Sequence, residues 1–207
     1  MNKIDIYIIN LVKRKDKLDY ILEYFKDIKS INLIIFEAIE NNIGWKGCLE
    51  SHLALVKYAY DNDLPYIIVM EDDFNLNINF FEFQNLLNEL IKLNDIDIFN
   101  GCPSYTDKFK KYKYNNNYYL VKGILSTAFI IYYKNSYNKL LNYNKLINSD
   151  IKYAIDVINY NLFKQLIYYK QFGNQKLFYS DISNTKIDHS SHYSFIYDIL
   201  EIIPFES

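Results

Sequence analysis

"PYIIVMEDDFN" (residues 65–75) sets four apolar residues, Ile67–Ile68–Val69–Met70, directly before three carboxylates, Glu71–Asp72–Asp73. A strand with one face in water alternates apolar and polar residues. A short unbroken apolar run opened by a proline suits an inner parallel strand covered on both faces. Three adjacent negative charges at its end repel one another. They call for a cation, a set of backbone donors or exposure to water.

Outward from this stretch, strands and helices alternate. Ile4, Ile6 and Ile8 mark a strand over 4–11, and Leu18, Ile21, Leu22 and Phe25 follow helical spacing over 14–27. "INLIIFEAI" after Ser30 reads as a second strand. "GWKGCLESHLALVKYAYDND" begins with Gly44 and Gly47 and settles into a helix with Leu49, Leu53, Val56 and Tyr60 on one face. Downstream come a helix near 80–93 and a strand in "DIDIFNGC". Residues 104–118 show no clear period and read as a loop. "YYLVKGILSTAFIIYY" reads as two short strands around Gly123, followed by helices near 135–142 and 150–165 and an irregular tail. The apolar stretch 193–205 reads as a last core element, with a partner-docking helix as the alternative. The pattern predicts one α/β domain on an open, mostly parallel sheet with right-handed crossovers.

Composition narrows the function classes. Half of the 207 residues are hydrophobic, with 22 Tyr and 14 Phe, enough for a sizeable core. A net charge of −2 with interspersed signs argues against a nucleic-acid binder relying on a basic field. The basic, aromatic stretch Lys108–Tyr114 reads as a solvated loop. Two cysteines, Cys48 and Cys102, make no disulfide framework and suit free thiols in a reducing compartment. The amino-terminal apolar run contains Asp5 and lacks a small-residue cleavage site, and no run approaches the roughly 18 apolar residues of a transmembrane segment. The expectation is a soluble, cytoplasmic chain.

In open α/β sheets, ligands bind outside the carboxyl ends of the strands. In extended geometry Glu71 and Asp73 point to one side and Asp72 to the other. Two carboxylates on one side suit a hard divalent cation such as magnesium or manganese, with water and phosphate completing its shell. The plainer alternative is that Asp72 and Asp73 begin a turn and cap the next helix.

Several segments, in order, carry a resemblance. "IYIINLVKRKDK", "GCLESHLALVKYA", "IIVMEDDF", "LSTAFIIYYKNSYNKLL", "AIDVI" and "QKLFYSDIS" together resemble glycosyltransferase family 25, the lipopolysaccharide-type and collagen galactosyltransferases with a GT-A-like fold. The likeness runs from about residue 4 to 184, and its Gly-Cys-x-x-Ser-His start of a helix is the most specific part. Lys17 stands where the family often has Arg, and Ser126–Thr127–Ala128 replaces the commoner Gly/Thr-His pattern.

The resemblance implies metal-dependent, inverting transfer of a hexose, galactose or glucose, from a UDP-sugar to a glycan or hydroxylated protein acceptor. It implies that Glu71 and Asp73 hold Mn2+ or Mg2+, that Asp72 reaches the ribose or donor sugar, and that Asn10, Leu11 and Arg14 lie near the nucleotide. Gly47, Ser51 and His52 would serve donor binding. Asp156 in "YAIDVIN" would be the base, with Asp150 as fallback, and His189, by analogy with GT-A enzymes, a third metal ligand. For each, a structural role is the alternative: a solvated arginine, a satisfied core histidine, an exposed helix carboxylate, an incidental tail histidine. Cys48 and His52 lie four apart on one helical face, but the sequence shows no partner cluster for a zinc site. The competing function is a non-catalytic carbohydrate- or partner-binding module on the same fold.

Overall fold

The computed structural model describes residues 3–146, 154–181, 185–186 and 190–206. The chain runs through β1 (Ile4–Asn10), α1 (Lys15–Phe25), β2 (Ile31–Glu37), α2 (Gly44–Asp61), β3 (Tyr66–Glu71), β4 (Phe74–Leu76) and α3 (Phe80–Leu90). It continues with β5 (Ile98–Asn100), β6 (Ser104–Lys113), β7 (Tyr118–Leu125), β8 (Phe129–Tyr133), α4 (Lys134–Leu146) and α5 (Ile155–Leu162). The last elements are β9 (Gln165–Tyr168), β10 (Gly173–Gln175), β11 (Tyr179–Ser180), β12 (Thr185–Lys186) and α6 (Ser190–Ile202).

Eight strands form one sheet in the order β2-β1-β3-β8-β5-β9-β7-β6. β1 pairs in parallel with both β2 and β3, and β5 with β9. β8 inserts antiparallel between β3 and β5, and β7 pairs antiparallel with β9 and β6. The α/β class and the parallel first three strands follow the sequence expectation. In the antiparallel half only β6–β7 joins consecutive strands; β3–β8, β5–β8 and β7–β9 bring together strands distant in sequence, which hydrophobic runs alone do not specify.

The apolar run of β3 is buried from both sides. Ile68 and Met70 join a cluster with Phe25, Phe83 and Phe129, while Ile67 and Val69 join Leu53, Val56, Ile130 and Ile158. Alternate side chains leave a strand on opposite faces, so one continuous run feeds two cores. Each such side chain contributes about 1.5–3 kcal/mol on burial.

Several expectations change. Residues 104–118 are mostly strand: β6 is the sheet's edge, with a register shift between Tyr105 and Lys110 that erases any regular period. Gly123, with a φ of 87°, lies inside β7, and the break comes at Ser126–Ala128. The helix expected over 150–165 ends at Leu162, and Gln165–Tyr168 is an inner strand too short to announce itself. The tail is not irregular throughout: it carries α6, which packs Ile196 and Leu200 onto Val121, Ile124 and Ile167, in keeping with the core reading of 193–205. Within the basic stretch, Lys111 is buried, donates to the Leu200 carbonyl at 2.6 Å and lies 4.3 Å from the Phe205 ring centroid. That lysine holds the end of α6 to the edge strand rather than meeting solvent. Among the described residues no helix is long and apolar enough to cross a membrane.

Candidate active site

β1 and β3 are parallel neighbours, so their carboxyl ends, Asn10 and Glu71, open at the same edge. Past that edge lies a cleft of about 390 Å³ lined by Leu11, Lys17, Gly47, Cys48, Glu71, Asp72, Asp73, Gln175 and Asp181, among others. The chain turns at Asp72–Asp73 and immediately forms β4. The next helix, α3, is capped by Asn79, whose side chain accepts from the Glu82 amide at 2.9 Å, so the acids form the turn but do not cap that helix.

Side-chain donors meet each of the three acids. Asp72 Oδ1 pairs with Lys17 Nζ at 3.1 Å and Asp72 Oδ2 accepts from Asn10 Nδ2 at 2.7 Å. Asp73 Oδ2 accepts from the same Lys17 at 3.0 Å, and Asp73 Oδ1 from Gln175 Nε2 at 3.1 Å. That amide also donates to Glu71 Oε2 at 3.2 Å, while Thr127 Oγ1 donates to Glu71 Oε1 at 2.9 Å. Every carboxylate oxygen of the triplet therefore carries a donor. One buried ammonium serves two acids and one amide serves two acids.

One cation against three acids leaves the cluster electron-rich. Burial, then Asp73, push the Glu71 carboxyl up to about 8; burial also pushes Asp72 up to about 6, against the pull of Lys17. Burial works against the Lys17 ammonium, but Asp73 and Asp72 outweigh it and raise its pKa. Glu71 Oε2 and Asp73 Oδ1 converge on a single donor nitrogen. Two carboxylate oxygens aimed at one point, one of them on an acid whose charge is poorly compensated, fit a hard divalent cation taking the place of that amide.

Gln175 reaches the acids because the ribbon β4–β10 sets it opposite Phe74. Gly173 permits that approach: a Cβ there would lie 2.3 Å from the Phe74 ring. The Lys176 amide donates to the Asp73 carbonyl at 2.7 Å, and the Tyr193 hydroxyl donates to Gln175 Oε1. Lys17, Gln175 and Thr127 are the site residues the sequence left without a role. Their signals were a lysine at a position expected to be arginine, a Gln at the start of a matched segment, and a substituted small-residue turn.

The other expected site residues divide into two groups. Asn10 is buried at the end of β1, bridging Asp72 and the Arg14 carbonyl, and Leu11 and Gly47 line the cleft. A Cβ on Gly47 would meet the Ile39 carbonyl at 2.4 Å, so the glycine allows the 38–43 loop to lie against α2. Arg14 braces the cleft wall: its guanidinium forks onto Asp16 at 2.9 and 2.8 Å, donates to the Tyr179 carbonyl at 2.7 Å and pairs with Asp181, a lining residue. Ser51 is fully buried, donating to the Gly47 carbonyl at 2.7 Å and accepting from the Ile39 amide at 2.9 Å. His52 is fully buried beneath it, Nδ1 facing the Tyr132 hydroxyl at 3.1 Å, and burial depresses its pKa to about 3.

Asp156, in the first turn of α5, accepts from the Val157 amide at 2.8 Å and from the Ser126 backbone; burial raises its pKa. Ser126 has left-handed backbone (φ 79°), and the next residue is the Thr127 that holds Glu71. Asp156 thus stands behind the turn that orients the first acid. Asp150 and His189 lie outside the described residues.

A family model described as glycosyltransferase family 25 (LPS biosynthesis protein) matches residues 42–182. Among solved structures, a protein from STIV superposes with a TM-score of 0.45 at 13% identity, covering 90% of this chain and 95% of that one. A glycosyltransferase involved in the glycosylation of the major capsid of PBCV-1 gives 0.46 at 12% identity over 77% and 75%. The glycosyltransferase GlyE of Streptococcus pneumoniae TIGR4 gives 0.41 at 8% identity over 81% and 45%. A comparison with curated proteins finds no match.

Proposed function

The chain belongs to glycosyltransferase family 25, and from that we propose that it transfers a hexose, galactose or glucose, from a UDP-sugar to a hydroxyl of a glycan or hydroxylated protein, with inversion and with Mn2+ or Mg2+ bound. The observation that carries this reading is the convergence of Glu71 Oε2 and Asp73 Oδ1 on one donor nitrogen in the lining of the cleft. Those two acids would hold the cation, which supplies charge neutralisation at the diphosphate as it leaves.

The chain's own groups divide the remaining work. The first turn of α2 borders the same cleft through Gly44 and Gly47 and carries no side-chain cap, so its partial positive charge favours the donor diphosphate. Lys17 adds a fixed positive charge beside Asp72 and Asp73. Asp72, held by Asn10, orients toward the donor's ribose or sugar hydroxyls. Inversion is a single displacement, so one group must accept the acceptor's hydroxyl proton. Asp156, whose carboxyl burial makes more basic and whose charge acts on Cys48 at the cleft wall, fits that role.

The test is UDP release from UDP-galactose, UDP-glucose and UDP-N-acetylglucosamine with Mn2+ and a panel of acceptors. Release with one hexose donor, abolished by Asp73→Asn and slowed at least about 100-fold by Asp156→Asn with UDP binding intact, supports the proposal. Tight sugar binding without UDP release from any donor would replace it with a binding module.

A further inference from the structure

Cys48 and His52 follow one another by one turn on the same face of α2, and β3 delivers Glu71 to that face. One ligand atom from each, thiol, imidazole and carboxylate, lies within 4.8 Å of the other two. His52 is fully buried; Tyr132 engages its Nδ1, and its Nε2 has no hydrogen-bond partner. A buried polar nitrogen with nothing to bond costs about 1–3 kcal/mol, so it marks a missing partner. Cys48 and Glu71 also line the cleft, which leaves one side of the trio open.

We propose that Cys48, His52 and Glu71 form a second, soft-metal site selective for Zn2+, three-coordinate from the protein and open to the cleft at the fourth position. Thiolate plus imidazole selects zinc over the hard cations of oxygen-only sites. With metal–ligand bonds of about 2.0–2.3 Å, tetrahedral ligands stand roughly 3.4–3.6 Å apart, so closure needs shifts of about an ångström. Binding releases the Cys48 thiol proton, and the proton on the Glu71 carboxyl where it carries one, to solvent. The thiolate and the Glu71 carboxylate then balance the two charges of the ion, so the filled site is neutral. Tyr132, itself contacted by Asn159 Nδ2 at 3.3 Å, would fix the imidazole ring from behind. The site gives the Gly-Cys-x-x-Ser-His stretch a chemistry that donor binding does not require. Because Glu71 belongs to both sites, zinc here would take it away from a hard cation at Asp73.

The experiment is a Co2+ titration of the metal-free chain under reducing conditions, followed by absorbance, then displacement by Zn2+. The expected result is one equivalent bound, with tetrahedral ligand-field bands and a thiolate-to-cobalt charge-transfer band. Cys102→Ser should keep that band, and Cys48→Ser should lose it. Zn2+ affinity should fall by more than the roughly 10–100-fold that outer-sphere changes cost. His52→Gln should weaken binding likewise, and unfolding curves in chelator verify that each variant folds. Absence of the band in the folded parent chain, or its persistence in Cys48→Ser, overturns the site. Neither result bears on hexose transfer, which is read separately by UDP release.

Discussion

At the scale of single residues, the acidic triplet is a problem in charge bookkeeping that Lys17 largely solves. Its ammonium, side chain only 9% exposed, is shared between Asp72 and Asp73. Lys17→Met leaves both acids buried without their counter-charge and should destabilise the chain by about 3 kcal/mol in urea unfolding, with Lys17→Arg restoring much of it. Glu71 lies outside that pairing and should show it in pH dependence. Its carboxyl is raised from 4.5 to about 8, so between those values the folded chain holds a proton the unfolded chain has lost, and stability falls as pH rises. Asp72, raised to about 6, acts in the same direction but is spent above that pH. His52 acts oppositely: held near 3 instead of 6.5, it removes stability only as pH falls below 6.5. From pH 6.5 to 8, Glu71 alone of the three titrates. In chelator, stability should drop across that window by at most about 1.4 kcal/mol per pH unit, and Glu71→Gln should flatten the slope.

At the scale of elements, the start of α2 is held by a short exchange of backbone and side-chain bonds. Ser51 Oγ ties the Ile39 amide to the Gly47 carbonyl, and Gly47 leaves space for the Ile39 carbonyl. Ser51→Ala should cost about 1–2 kcal/mol, because it strips an acceptor from a partly buried amide. Gly47→Ala, forcing a methyl to 2.4 Å from a carbonyl oxygen, should cost about 1–3 kcal/mol and displace the cleft wall, visible as changed amide shifts over 38–43. The same element shows what was legible in advance. The helix, the β3 run and the acids at its tip are local patterns of hydrophobicity and charge, and they appear where periodicity put them. What Ser51 and His52 do was not legible, because it depends on the depth of α2 beneath the 38–43 loop and on Tyr132 arriving from β8, eighty residues on. Gln175 was hidden for the same reason. Its reach to Glu71 depends on a three-residue ribbon whose pairing no period announces. β6 and β9 were missed because an irregular edge and a four-residue inner strand are too short or too broken to show alternation.

At the scale of the whole molecule, the cleft is assembled from both ends of the chain. Ile9, Leu11 and Lys17 come from its beginning, Gln175 and Asp181 from near its end, and Arg14 joins the two by bonding Tyr179 and Asp181. A ligand that bridges these walls links distant elements, so its binding free energy appears as global stability. If the cation held by Glu71 and Asp73 also meets the donor diphosphate, as proposed, UDP and Mn2+ together should raise the melting temperature by more than the sum of their separate effects. At 100 times the dissociation constant the gain is about 2.7 kcal/mol, or roughly 5–10 °C for a chain of this size. Asp73→Asn should erase the excess. Arg14→Met should act differently. It leaves the acids in place but frees the 179–181 wall from α1, so UDP should bind about 10-fold more weakly while the synergy with Mn2+ persists. Calorimetric titration of that variant decides whether Arg14 serves the site by holding its far wall: unchanged UDP affinity would mean that the wall stands without it.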